Sequence, residues 1–237
     1  MVQRLRKFIA SIALLSIELI IILILFLFSL IALAFIINTI FGLENSAFDM
    51  RVFENIRPYV NDTNTRIMRF ITFFATGEFL VPANITLALF FLLKKHRWYS
   101  LRVPVVSLGS FVVMSSMKLL FSRTRPDDPV FRAALGFSFP SGHAMSAMTF
   151  YGLLVFLVWK NVDNVILKWI LTFLLIIFIH LIGFSRIYLR VHYASDVMAG
   201  FSLGLIWLVL SLWVVHRIEI YAKRKIAPEV EAPDQTK

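Results

Sequence analysis

The sequence predicts an all-α polytopic membrane protein, with six transmembrane helices and a short amphipathic helix between the first two. Three observations predict it. Hydrophobic residues make up 59% of the 237, against roughly 45–50% in a soluble domain. Apolar runs near or beyond the roughly 20 residues that cross a bilayer recur along the chain, and mean hydropathy is +0.81. The net charge of +10 gathers at the ends of those runs, which fits membrane orientation and anionic lipid contact rather than nucleic-acid binding. The chain has no cysteine, which excludes disulfides, thiol catalysis and cysteine metal sites.

The elements follow in order. Arg4, Arg6 and Lys7 precede an apolar run to Phe41 whose one charge is Glu18. It is too long for a signal peptide and reads as a retained first span, its start lying along the interface. Glu18 reads as a snorkelling or packing residue. Between Gly42 and Arg66, Phe48, Val52, Phe53 and Ile56 recur at helical spacing among charges, which predicts the amphipathic surface helix. Asn61 to Asn64 reads as a turn. The second span runs from about Met68 to Leu93, with a kink expected at Pro82. The third covers Leu101–Phe121, and a charged loop runs from Ser122 to Pro140 with Arg123, Arg125, Asp127, Asp128 and Arg132. Spans four to six cover about His143–Trp159, Trp169–Phe184 and Asp196–Val215. His96 and Glu78 read as surface and structural residues, and His180 as packed within span five. Residues 1–226 form one membrane domain and residues 227–237 a disordered tail.

Six spans place both termini on one side. That side also carries Lys94, Lys95, Arg97, Arg102, Lys160, Lys168, Arg217, Lys223, Arg224 and Lys225, so the positive-inside rule makes it cytoplasmic. The remaining polar clusters then fall on the extracytoplasmic face. Ionisable residues at the edge of an apolar span are costly and point to function.

Three clusters carry the chemistry. Lys118 is followed, after six residues, by Arg125-Pro126; Pro140-Ser141-Gly142-His143 opens span four; and Ser185-Arg186 is followed by His192 and then Asp196. Phosphoryl transfer needs cations and N–H donors around three charged oxygens, an in-line nucleophile and a proton source. Lys118, Arg125 and Arg186 supply the charge, an arginine fork taking phosphate oxygens two at a time. Ser141 and Gly142 stand where a loop becomes a helix, where backbone N–H groups face an anion. His192 is the candidate nucleophile, and Asp196, one helical turn on, fixes its tautomer. His143 is the candidate acid for the leaving oxygen and then the base for water. Arg123 and Arg190 read as surface or headgroup contacts.

In order, residue type and spacing these clusters resemble the three-part signature of the type 2 phosphatidic acid phosphatase (PAP2) superfamily, in its membrane lipid phosphatase branch. The resemblance covers Lys118 to Asp196, and the six-span layout is similar too. It implies a metal-independent phosphohydrolase with a phosphohistidine intermediate, no cofactor and no metal, in a bacterial plasma or inner membrane. The expected partner is an anionic lipid phosphate or diphosphate in the outer leaflet, with undecaprenyl diphosphate first, then phosphatidic acid and phosphatidylglycerol phosphate. A lipid phosphotransferase, a lipid A phosphatase and a non-catalytic lipid-binding or transport protein are the alternatives. The family's haloperoxidases are soluble, and transporters show paired repeats with broken helices, which this sequence does not.

Overall fold

The computed structural model describes residues 2–44, 46–131 and 135–225, with only the backbone of residues 2–18 and 225. The side chain of Glu18, the loop residue Arg132 and the tail beyond residue 225 lie outside the described residues. Helix α1 (Val2–Ile37) ends in a wide π turn (Asn38–Gly42); α2 is Ala47–Ile56, α3 Asp62–Phe73, α4 Gly77–Leu93, α5 Arg97–Phe121, α6 Gly142–Asn161, α7 Val165–Tyr188 and α8 Ala194–Lys225. By length and composition they make six membrane spans, the second formed by α3 and α4 together. The chain is an all-α membrane protein.

Helices α6 and α8 are the most buried of the spans, and glycines let them meet. A Cβ on Gly200 of α8 would stand 2.7 Å from the Ser141 carbonyl oxygen and 3.0 Å from Ala144 Cβ, and one on Gly204 would stand 3.0 Å from the Met145 carbonyl oxygen. In hydrocarbon there is little hydrophobic drive between helices, so close backbone approach through small residues is what holds them. Around this pair, Ala147, Phe150 and Tyr151 pack with Ile179 and Ile182 of α7 and Leu80 of α4. Leu153 and Leu157 pack with Val103 and Val106 of α5, Phe91 of α4 and Leu208 of α8.

The second span departs from the sequence reading. It breaks at Phe74–Thr76, between α3 and α4, and Pro82 sits inside the continuous α4. A broken helix in a bilayer needs partners for the backbone groups it frees. Here the Tyr151 hydroxyl donates to the Phe74 carbonyl at 2.7 Å. Beyond the break, α3 packs on α7 and α4 packs on α5. Asn61 to Asn64 is not a free turn. Asn61 caps α3, its side chain accepting from the Asn64 N–H at 2.9 Å, and Tyr188 at the end of α7 accepts from the Asn61 N–H at 3.2 Å.

The ends of α1, α5 and α7 and the starts of α3, α6 and α8 share one face of the bundle, with α2 across it, because consecutive spans alternate in direction. The start of α1 and the end of α8 share the opposite face, where Arg102 is paired with Glu219 at 2.7 Å. His96 is exposed and stacks edge-on with Phe91. His180 is exposed and bonds through Nδ1 to its own helix at the Ile176 carbonyl, 2.8 Å away.

Candidate active site

Helix ends bring the three clusters together. Lys118 comes from the last turn of α5, Ser141 caps α6, Gly142 and His143 form its first turn, Arg186 comes from the last turn of α7, and Asp196 from the first turn of α8. His192 lies in the short link between α7 and α8, and Arg125 in the loop after α5. His143 stands in the electrostatic range of Arg186, His192, Arg125 and Lys118. Seventy-odd residues of chain thus close on one point at the mouth of the bundle.

The nucleophile candidate is tightly held. His192 is 2% exposed. Its Nε2 meets Nη1 of Arg125 at 3.2 Å, and Arg125 is itself anchored to the carbonyls of Val191 (2.6 Å), Gly136 (2.9 Å) and Leu135 (3.1 Å). Burial pushes the His192 pKa down to about 4, against the opposing pull of Asp196. The ring is therefore neutral at physiological pH. With Nδ1 turned to Asp196 and Ser138, Nε2 carries the lone pair.

The Asp196 contact differs from the expected direct bond. Asp196 Oδ2 lies 3.7 Å from Nδ1, beyond hydrogen-bond reach. Ser138 bridges the gap, its hydroxyl donating to Oδ2 at 2.5 Å while its oxygen lies 3.4 Å from Nδ1. The Tyr193 N–H donates to the same Oδ2 at 3.0 Å. Oδ1 is paired with Arg123 Nη1 at 2.7 Å.

Arg123 is therefore not a surface or headgroup contact. Its side chain is only 11% exposed, lies over the Tyr193 ring, and pairs through Nη2 with Asp49 of α2 at 2.8 Å. Burial alone would disfavour its charge, yet Asp196 and Asp49 together hold its pKa above the ordinary value. Arg190 is half-buried and lies over the Phe53 ring. Sequence reasoning passed over Ser138 and Asp49 and misplaced Arg123. Asp49 left one available signal: with Val52, Phe53 and Ile56 it falls on a single helix face, and an acid among apolar neighbours needs a partner.

Ser141 also serves differently from the expectation. Its N–H donates to the Asp196 carbonyl at 3.0 Å, which ties α6 to α8 and removes that N–H as an anion donor. Its side chain accepts from the Ala144 N–H at 3.5 Å. The N–H groups of Gly142 and His143 remain, since a helix start leaves its first donors without partners inside the helix. The close approach at Gly142 is to the Met114 sulfur, 2.6 Å from where a Cβ would be. Lys118 Nζ donates to the Phe137 carbonyl at 2.5 Å. Arg186 is 8% exposed; its Nη1 donates to Thr72 of α3 at 2.8 Å, and its buried Nε has no partner.

The fold is that of an integral membrane protein, with the candidate site at one end of its helices. Residues 99–220 match the family model of the PAP2 superfamily, and the chain belongs to that family. It is 28% identical over 151 residues to phosphatidylglycerophosphatase B of Bacillus subtilis, covering 63% of this chain and 72% of that protein. It is 28% identical over 178 residues to undecaprenyl-diphosphatase of Sulfolobus acidocaldarius, covering 73% and 81%. The crystal structure of the transmembrane PAP2-type phosphatidylglycerolphosphate phosphatase from Bacillus subtilis superposes with a TM-score of 0.71 at 28% identity, over 83% of this chain and 96% of that one. LpxE of Aquifex aeolicus shares the fold, with a TM-score of 0.56 at 22% identity over 70% and 95% of the two chains.

Proposed function

We propose that this protein hydrolyses a membrane lipid phosphate or diphosphate through a phosphohistidine on His192, without a metal ion. The observation that carries the reading is the gathering of Lys118, Arg125 and Arg186 around two histidines, with a buried Arg186 Nε left unpartnered. Cations crowded together at such cost call for an anion between them. Asp196 is already engaged by Arg123 through Oδ1 and by Ser138 and the Tyr193 N–H through Oδ2.

Lys118, Arg125, Arg186 and the N–H groups of Gly142 and His143 receive the phosphoryl oxygens, with Ser141 acting through its hydroxyl. His192 Nε2 attacks phosphorus as the bond to the leaving oxygen breaks, and His143 protonates that oxygen. Asp196, through Ser138, supports the positive charge on the phosphorylated ring. His143 then takes a proton from water, the water oxygen bonds to phosphorus, and the P–N bond electrons return to Nε2. The three cations supply the charge that a divalent ion supplies in other phosphatases.

Lipid is favoured by position. The site lies at helix ends, where a headgroup reaches while its chains stay in hydrocarbon. Above the break, α3 leans on α7 and leaves the outer half of α5 lined by exposed Phe111, Val112, Leu119 and Leu120, a side approach for acyl or prenyl chains. The charge pattern assigns the site to the extracytoplasmic face and both termini to the cytoplasm. The relatives' substrates make undecaprenyl diphosphate and phosphatidylglycerol phosphate the first to try, with phosphatidic acid beside them. Phosphate release by purified protein in detergent, over that panel, tests the proposal. Turnover of at least one, lost in His192→Ala, supports it; no release from any lipid phosphate refutes it.

A further inference from the structure

The surface helix α2 enters the catalytic arrangement through one side chain. Asp49 is 1% exposed, although it belongs to a helix whose Phe48, Met50 and Glu54 face outward. Its three bonds go to two residues. Oδ2 accepts from Arg123 Nη2 at 2.8 Å and from the Ser195 hydroxyl at 2.6 Å, and Oδ1 accepts from the Ser195 N–H at 2.9 Å. Arg123 Nη1 reaches both the Ser195 hydroxyl, at 2.8 Å, and Asp196 Oδ1, at 2.7 Å. Asp49 therefore holds the guanidinium that holds Asp196, and it holds the first-turn backbone of α8 from which Asp196 projects.

We infer that Asp49 is a positioning residue of the phosphatase reaction, acting on His192 through Arg123, Ser195 and Asp196 from a helix outside the three sequence clusters. The inference rests on the proposed phosphohistidine chemistry. Two carboxylates share one guanidinium here. Removing the Asp49 charge leaves Arg123 to Asp196 alone, so less of the Asp196 charge serves the imidazole. Support for the phosphorylated ring falls, whereas Lys118, Arg125 and Arg186 keep their own anchors at Phe137, at the carbonyls of Leu135, Gly136 and Val191, and at Thr72. The loss belongs in the chemical step and not in phosphate binding.

The test compares Asp49→Asn with the unaltered full chain in detergent, and with Glu54→Gln on the exposed side of the same helix. For Asp49→Asn, kcat is expected to fall about ten- to a hundredfold, the worth of one charge-assisted hydrogen bond. KM and vanadate inhibition should stay within about twofold, and Glu54→Gln should match the parent. Asp49→Asn combined with Arg123→Lys should lose far less than the product of the single losses, because both act on one path. A folded Asp49→Asn with parental kcat, a KM that rises in step with the fall in kcat, or multiplicative losses in the pair would overturn the inference. If Asp49→Asn does not fold, Ser195→Ala takes its place, with a several-fold fall in kcat expected and an unchanged kcat counting against the inference. Parental turnover and its loss in His192→Ala report separately on the function itself.

Discussion

Single residues divide the labour at the site. His192 is expected to be the nucleophile for every substrate, so His192→Ala should abolish all turnover. His143 is expected to matter according to the leaving group. A monoester expels an alkoxide with basicity near that of hydroxide, whose conjugate acid has a pKa of about 15.7. A diphosphate expels a phosphate oxygen with a pKa of about 6. General acid help is worth about 10²–10⁴-fold and most for the worse leaving group. His143→Ala should therefore slow phosphoenzyme formation from monophosphate lipids much more than from diphosphate lipids in single-turnover experiments. Equal losses would make His143 a phosphate ligand instead.

Protonation can be read at the same scale. In the proposed mechanism the neutral ring is the reactive form, and acid removes it by occupying the Nε2 lone pair. With a His192 pKa of about 4, the ring should stay neutral down to about pH 5. Ring ¹⁵N shifts of histidine-labelled protein, with His192→Ala identifying the signal, should show a midpoint near 4; a midpoint at the ordinary 6.5 or above contradicts the buried setting. The three sequence clusters were legible because the chemistry fixes residue types at fixed spacings along short segments. Ser138, Arg123 and Asp49 were not. Their roles depend on which atoms meet across the fold, and Arg123 two residues before Arg125 looks in sequence like any other loop charge.

Helices impose the next constraint. The number of spans was readable because each must be long and apolar enough to cross the bilayer. The break at Phe74–Thr76 was not, since apolar composition continues through it and Pro82 was the louder signal. Pro82 lies inside α4, beyond its first turn, where it removes one backbone hydrogen bond yet leaves the helix continuous, as prolines in membrane helices often do. Gly200 ties element packing to chemistry, because the backbone it touches is that of Ser141, whose N–H holds the Asp196 carbonyl. Gly200→Ala should push α8 from α6, costing about 1–3 kcal/mol as overpacking does, and should lower activity with it. Gly77, with nothing within 4 Å of its would-be Cβ, is the contrast. Gly77→Ala should leave thermal stability in detergent unchanged or raise it, by up to about 1 kcal/mol. Equal thermal shifts for the two variants would contradict the α6–α8 seam.

Across the whole molecule, alternation of six spans sets the candidate site on the face opposite the start of α1 and the end of α8. The sequence has no cysteine, so introduced thiols report on a silent background. A cysteine at the exposed Asp128 should react with a membrane-impermeant reagent in intact cells, and one in the tail should not; the reverse pattern would invert the topology. The cation cluster should make turnover indifferent to chelator and sensitive to vanadate, a mimic of the five-coordinate phosphorus. Activity lost to chelator and restored by a divalent metal would overturn the metal-free mechanism.

The most direct measurement is the covalent intermediate itself. Purified protein is mixed with a lipid phosphate that it turns over, labelled with ³²P, and quenched in alkali, where phosphohistidine survives. Label is expected on the peptide containing His192, formed at the rate of the first turnover and absent in His192→Ala. Turnover with label on a different residue, or persisting in His192→Ala, would contradict the account.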